Sequence, residues 1–506
     1  MKSRTLTWIT AITLFAAVAF PVQLAAQLPR YKLIDLGTLG GPNSYQDAPG
    51  QTVNNRGEAI TFADTPIPDP FAPNCFQVDC LISHAIKWHK GVRTDLGALP
   101  GINDSVPTWI TPNGLIAGLS ENGEIDPLTA FPELRAVLWN KDGTIVDLGT
   151  LGGNSSQAFG VNSRGQAVGV ALNTVLENPL FASFMNIAPA ATQARAFLWQ
   201  DGSMQDLGTL GGSDADAQGV NERGQVVGFS FTDSSSNATT GLPTVHPFVW
   251  ENGRMVDLHS LGGTLAFPGG FFAPAPTLNN RGQVVGTSTL KGDQTWHPFL
   301  WERGVLKDLG TLGGNNGEAF FVSESGDVVG RADVSPFSTN HHAFRWKNGV
   351  MKDLGVLAPC LNSTAVGVNS QGQAVGDTGR CPGPGHPFLS EHGEPMVDLN
   401  TLVLPGSDLT LESVAIINDR GEIAGAGVLP TNGATRAVLL VPASKEEIEA
   451  AEALAQASPP RATQVRRGAI ENSERLGGPR SRMLDAWRAR LAQRYHISGL
   501  AASSRD

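Results

Sequence analysis

Residues 195–212 read RAFLWQDGSMQDLGTLGG. Two short apolar runs, 196–199 and 204–207, flank Gln200-Asp201-Gly202, which is the pattern of two strands around a tight turn. Upstream, 158–161 and 166–170 flank Asn162-Ser163-Arg164-Gly165, with asparagine first and glycine fourth, as a type I turn prefers. Four short strands therefore make one unit, and its phrases return along the chain. DLGTLGG or a decayed form starts at Asp35, Asp95, Asp147, Asp206, Asp257, Asp308, Asp353 and Asp398. A turn phrase of the type VNxRGQVVG passes through Asn54, Thr111, Asn162, Asn221, Asn279, Ser323, Asn369 and Asn418. A third phrase begins at His84, Arg135, Arg195, His246, His297, His342, His386 and Arg436. Eight copies in one order, with aspartates 45 to 60 residues apart, predict the blades of a β-propeller.

The two ends decide between a ring and a rod. The last unit has NDRGEIAG and RAVLLV but stops at Val441 without a DLG strand. Residues 31–36, YKLIDL, are surplus at the front and can supply it. Closure of this kind removes the exposed sheet edges that invite aggregation. The expected fold is all-β, a closed propeller of eight four-stranded blades whose N-terminal strand completes the last.

The three recurring phrases resemble those of the bacterial extracellular HAF-repeat proteins. The likeness covers about four fifths of the chain, although the literal triplet occurs only at His342-Ala343-Phe344. What it implies is secretion and a repeat fold. That family has no established common activity, so the resemblance implies no site residues.

Composition and termini agree. With 59 glycines, 33 prolines and only 16% charged residues, short strands and turns are favoured over solvated helices. A net charge of −11 argues against nucleic acid as a partner, since phosphate binding needs clustered cations. Residues 1–26 read as a signal peptide: Lys2 and Arg4 precede a mostly apolar run at 6–22, and Ala25-Ala26 offer a cleavage site. No second apolar run of spanning length follows, so the expected location is secreted or extracytoplasmic. Residues 27–442 form the propeller and 443–506 a helical or partly disordered tail. Within the tail, 445–456 reads as an alanine-rich acidic helix, and 483–495 carries Leu484, Trp487, Leu491 and Tyr495 at helical spacing on an arginine-rich stretch. That basic helix can make weak contact with an acidic surface.

Four cysteines allow three pairings, and proximity favours Cys75 with Cys80 and Cys360 with Cys381 as disulfides. Neither pair has zinc-site spacing. No metal site and no cofactor are expected.

The turns within strand pairs one-two and three-four stay short. Connections from strand two to three lengthen at 64–81 and 170–194, and those from four to one at 264–277 and 403–411. All of these belong to one face of a propeller, where repeat proteins place binding surfaces. Residues 264–277, TLAFPGGFFAPAPT, read as an irregular loop whose Phe267, Phe271 and Phe272 are candidate ligand-binding aromatics, or else close off the core. The His/Arg and Asp positions recur in every unit and read as structural pairs, and Trp88, Trp139, Trp199, Trp250, Trp301 and Trp346 as inter-blade packing. Asp214 and Asp216 lack the ligand count of a calcium loop. There is no GxSxG, HExxH or Walker glycine loop, and no catalytic residue is assigned. The expected function is a secreted non-catalytic repeat protein that presents a loop-rich face to a protein or polysaccharide. The alternatives are a carbohydrate hydrolase or lyase with carboxylates near the axis, and a purely structural surface repeat.

Overall fold

The computed structural model describes residues 28–457, apart from 47–49, 78, 178–180, 182–184, 186, 188–189, 239–240, 271–276, 337–339 and 384. The signal segment at 1–26 and the basic helix at 483–495 lie outside the described residues. The strands gather into six four-stranded antiparallel sheets and one eight-stranded sheet. In the latter, the fourth and fifth blades are joined by one parallel contact, Val245 with Leu265. This is the propeller the repeat predicts. In the third blade the strands are Ser156–Val161, Ala167–Leu176, Thr192–Gln200 and Ser203–Asp206. The second and third outrun their apolar cores because pairing continues into the insertion, as far as Leu176 opposite Thr192.

Local chemistry explains the phrases. The first strand of the third blade bulges between Ala158 and Gly160, which presses its backbone onto Gly169 of the second strand. A Cβ there would stand 1.9 Å from the Gln157 carbonyl oxygen. Gly169→Ala is therefore expected to lower stability by about 3 kcal/mol. Gly310→Ala, strained only by its φ of +74° with open space around it, should cost about 1 kcal/mol. Thermal melts of both variants beside the parent check this order.

In all eight blades the aspartate ending the fourth strand accepts the backbone N–H two residues on, at 2.6–2.8 Å. The same carboxylate faces the His or Arg at the head of the third strand, 2.9–3.9 Å away. The recurring pair is a clasp between the third and fourth strands and the following turn. The tryptophans pack between blades: Trp139 joins Ile110 and Ile116 of its own blade to Ile60, Ala85 and Leu99 of the first. Trp346 does the same against Val285, Leu300 and Leu309 of the fifth.

The last blade is completed from the front of the chain. Tyr31–Asp35 pairs with Thr435–Pro442, from Tyr31 opposite Pro442 to Asp35 opposite Val438. This blade in turn bonds to the first, through Ala437 N–H to Ser44 Oγ at 3.0 Å and Asn418 Nδ2 to the Asn54 carbonyl at 2.8 Å. Both disulfides form, Cys75 with Cys80 and Cys360 with Cys381. A helix at Lys445–Ala457 follows, opened by Ser444, whose Oγ accepts Glu447 N–H while the Glu447 carboxylate accepts Ser444 N–H. Among the described residues no helix is long and apolar enough to cross a membrane.

One expectation needs correction. The stretch 264–277 is not wholly an irregular loop: Gly262–Pro268 is a strand paired with Val284–Leu290. Gly263 permits the approach, because a Cβ on it would stand 2.2 Å from Thr289 Oγ1. Glycine and proline weaken a strand on propensity alone, and here tertiary pairing overrides that.

Candidate functional site: the axial mouth and the insertion face

The turns between first and second strands converge on the axis. Each turn asparagine is spent on itself and its neighbour. Asn221 Oδ1 accepts the N–H groups of Arg223 and Gln225, while Nδ2 donates to Gln225 Oε1 and to the Asn279 carbonyl of the next blade. Corresponding bonds run from Asn54 to Thr111, Asn162 to Asn221, Asn279 to Ser323, Asn369 to Asn418, and Asn418 to Asn54. Where Thr111 replaces asparagine, Asn113 reaches the Ser163 carbonyl instead, at 2.8 Å.

Inside this ring lies a cavity of about 220 Å³, walled by the ends of the first strands. In seven of the eight units the residue after the first turn position lines its mouth, and three of these are carboxylates: Glu222, Glu324 and Asp419. Each clasps the preceding blade. Glu222 accepts the N–H and Oγ of Ser163, Glu324 accepts the N–H and Nδ2 of Asn280, and Asp419 accepts the N–H of Ser370 at 2.8 Å. Sequence reasoning did not single out these three residues. The signal was there in the position following the turn asparagine, or Ser323 in its place, which is acidic in the fourth, sixth and eighth units.

The other face carries the insertions, and over the first three blades its loops bond to one another. Asn74 Nδ2 of the first reaches the Ala130 carbonyl of the second at 3.1 Å, and Asn154 of the third reaches Asp126 of the second at 2.9 Å. The Cys75–Cys80 disulfide ties the first insertion. Six large aliphatic side chains stand 44–73% exposed on this crest: Ile67, Ile102, Ile125, Leu128, Val175 and Leu176. Scattered exposed apolar residues are ordinary, and what sets these six apart is that they share one face of adjacent blades.

Beneath the crest runs a buried acidic chain. Ser83 donates from Oγ to Asp64 and from its N–H to Asp104, and Asp104 N–H donates to Glu121 at 3.1 Å. Burial pushes Asp64 up to about 6 and Glu121 up to about 7, and burial together with the Glu121 charge raises Asp104. In the next interface but one, burial pushes Asp214 up to about 7.

The aromatic candidates divide. Phe267 lies in the strand at Gly262–Pro268, only 2% exposed, edge-on to Phe229. Its ring closes the core between the fourth and fifth blades. Phe271 and Phe272 lie outside the described residues. Asp214 and Asp216 are both buried, Asp216 in the first strand of the fourth blade, Ala215–Val220, and Asp214 immediately before it.

No family model matches the chain, and no curated protein does. Solved structures similar to it include a prolyl endopeptidase, at 9% identity and a TM-score of 0.41 over 82% of this chain. This chain spans about half of that enzyme's length (51%). TolB from Acinetobacter baumannii is similar at 10% identity and a TM-score of 0.32, with 81% of this chain and 96% of TolB covered. A sialidase from Trypanosoma rangeli is similar at 11% identity and a TM-score of 0.32, with 81% and 62% covered. At such identities and scores the likeness does not reach activity.

Proposed function

We propose that the protein is an extracytoplasmic, non-catalytic propeller of the HAF-repeat type whose insertion face binds a macromolecular partner. The observation that carries this reading is the crest of exposed aliphatic side chains over the first three blades. Aliphatic groups without flat rings favour a protein partner over a polysaccharide, because apolar burial rather than stacking is what they offer. The two disulfides and the signal read at 1–26 support an oxidising location. The axial carboxylates support a non-catalytic role, since Glu222, Glu324 and Asp419 are each engaged by backbone N–H groups of a neighbouring blade.

The test sets three proteins beside each other in a binding screen against envelope proteins and glycans, with product analysis on every hit. They are the parent, a Leu128→Asp/Leu176→Asp variant, and a Glu222→Gln/Glu324→Gln variant. A protein ligand held by the parent and the axial variant, and at least tenfold more weakly by the crest variant, is the expected result. Release of an oligosaccharide, or binding lost only in the axial variant, would give the enzyme reading the lead.

A further inference from the structure

The fourth blade breaks the pattern of the other blades at one residue. Six blades place glycine two positions after the fourth-strand aspartate, always with positive φ: Gly37, Gly97, Gly149, Gly208, Gly310 and Gly355. The seventh has Asn400, inside a short 3-10 turn at Leu399–Thr401 that Asp398 caps. The fourth has His259, held at φ +63°. An L side chain is strained in that region, and glycine would make the same turn without cost. Backbone geometry therefore gives no reason for histidine. The N–H of His259 still bonds to Asp257 Oδ1, at 2.6 Å, as in the other blades.

The imidazole supplies what the backbone does not. His259 Nδ1 stands 3.2 Å from Asp257 Oδ2, and His246 Nδ1 meets that same oxygen at 2.9 Å. The two rings lie edge to face with centroids 5.9 Å apart. All three donor atoms lie within 4.8 Å of one another, the one such group of three His, Cys, Asp or Glu among the described residues. A tetrahedral ion with bonds of about 2.0–2.1 Å holds its ligand atoms about 3.4 Å apart, so each Nδ1 needs to draw back from Asp257 Oδ2 by only a few tenths of an ångström, and the two imidazole donors, within 4.8 Å of one another, meet the same spacing by movement of His259. His259 can move that far, since its side chain is 74% exposed on a turn. Asp257 and His246 are steadier: Asp257 Oδ1 is fixed by the turn N–H, and both residues sit on paired strands.

We propose that His246, Asp257 and His259 form a binding site for one borderline divalent cation of the Zn²⁺ class. Two imidazoles and one carboxylate suit zinc, nickel or copper better than the hard, oxygen-seeking calcium or magnesium. The ion replaces the hydrogen bonds at both Nδ1 atoms, so both rings bind in their neutral form with the remaining proton on Nε2. Three protein ligands leave a fourth position for water or for a donor from a partner. The site belongs to the rim of the insertion face, and it stands whether or not the crest over the first three blades binds a protein.

The protein's own repeats supply the test variants. His259→Gly installs the residue found in six other blades, and His246→Arg installs the residue that Arg135, Arg195 and Arg436 occupy in theirs. Both variants keep the clasp and should fold. Tag-free full-length protein is titrated with Zn²⁺ by calorimetry and with Co²⁺ by visible absorption. Described thiols do not compete, because all four cysteines are in disulfides. One ion per chain is expected, with a tetrahedral cobalt band, and at least tenfold weaker binding in either variant. His259→Gly should lose the ion while melting no lower than the metal-free parent. No saturable uptake by the parent overturns the proposal, and so does uptake that both variants retain, which would put the ion elsewhere.

Discussion

A chain that begins at Thr38 is expected to accumulate as aggregate, whereas one that begins at Gln27 is soluble and monodisperse. The truncation removes Tyr31–Asp35, the outer strand of the last blade, together with the fully buried side chains of Tyr31 and Leu36. Two large apolar groups and a ladder of backbone bonds are lost, which is worth about 5 kcal/mol, a large fraction of the stability of a typical domain. The damage goes beyond that loss. Thr435–Pro442, rich in Ala, Val and Leu, becomes an exposed sheet edge, the kind of surface that recruits other chains. A permuted chain that carries residues 28–37 after a short linker beyond Pro442 should restore solubility, as read by size-exclusion chromatography. Restoration would show that the strand acts by pairing rather than by its place in the chain. Failure of the permutant, or full solubility of the truncated chain, would contradict the closure described above.

The protein is also expected to lose stability as pH rises from about 4 to about 8. Asp64, Glu121 and Asp214 carry pKa values raised to about 6, 7 and 7, and in the unfolded chain they return to the ordinary carboxylate range. Between those limits the folded state holds more protons than the unfolded state, so the free energy of unfolding falls as pH increases. Folding is favoured below the unfolded values, and that advantage is gone above the folded ones. Two aspartates paired with histidine, Asp95 and Asp308, act in the opposite direction but at lower pH. Desolvation is the largest single influence on Asp95 and Asp308, yet the hydrogen bonds from His84 and His297, those from the Gly97 and Gly310 N–H groups and the imidazole charges together outweigh it and lower them, so their contribution fails only under stronger acid. Glu121→Gln isolates one buried group. Gln keeps an acceptor for Asp104 N–H, and it offers an amide N–H where Asp104 Oδ2 has no partner among the described residues. Chemical denaturation should show the variant roughly 3 kcal/mol more stable than the parent at pH 8 and no different at pH 4. A parent whose stability rises from pH 4 to 8 would refute this account.

Much of this architecture was legible in residue order. The aspartate of each DLG phrase, the His or Arg before it, and the glycine after it all act within a hairpin and its turn. Recurrence of the aspartate and of the His or Arg in all eight units therefore exposed those two as structural pairs. The surplus YKLIDL likewise announced its partner, because a missing strand at one end and a spare at the other have one economical solution. The disulfides were readable from proximity. Less visible was the strand at Gly262–Pro268, because local propensity in a stretch rich in glycine and proline argues for a loop, and only pairing with Val284–Leu290 overrules it.

What the order of residues determined is thus the repeat, its four-stranded unit, the closure of the last blade and the recurring clasps, all of which depend on chemistry a few residues apart or on counting. Tertiary structure alone decided the neighbours across blades. Glu222, Glu324 and Asp419 lie roughly one hundred residues apart in the chain, and meet at one mouth because the ring brings every turn to the axis. Asp64, Asp104 and Glu121 read as ordinary polar residues until adjacent blades enclose them and withhold water, and it is that desolvation which raises their pKa values. His259 differs from glycine by one letter in a decayed phrase. Its meeting with His246 depends on strand register and on a left-handed turn, which orient side chains in space in a way that spacing along the chain does not specify.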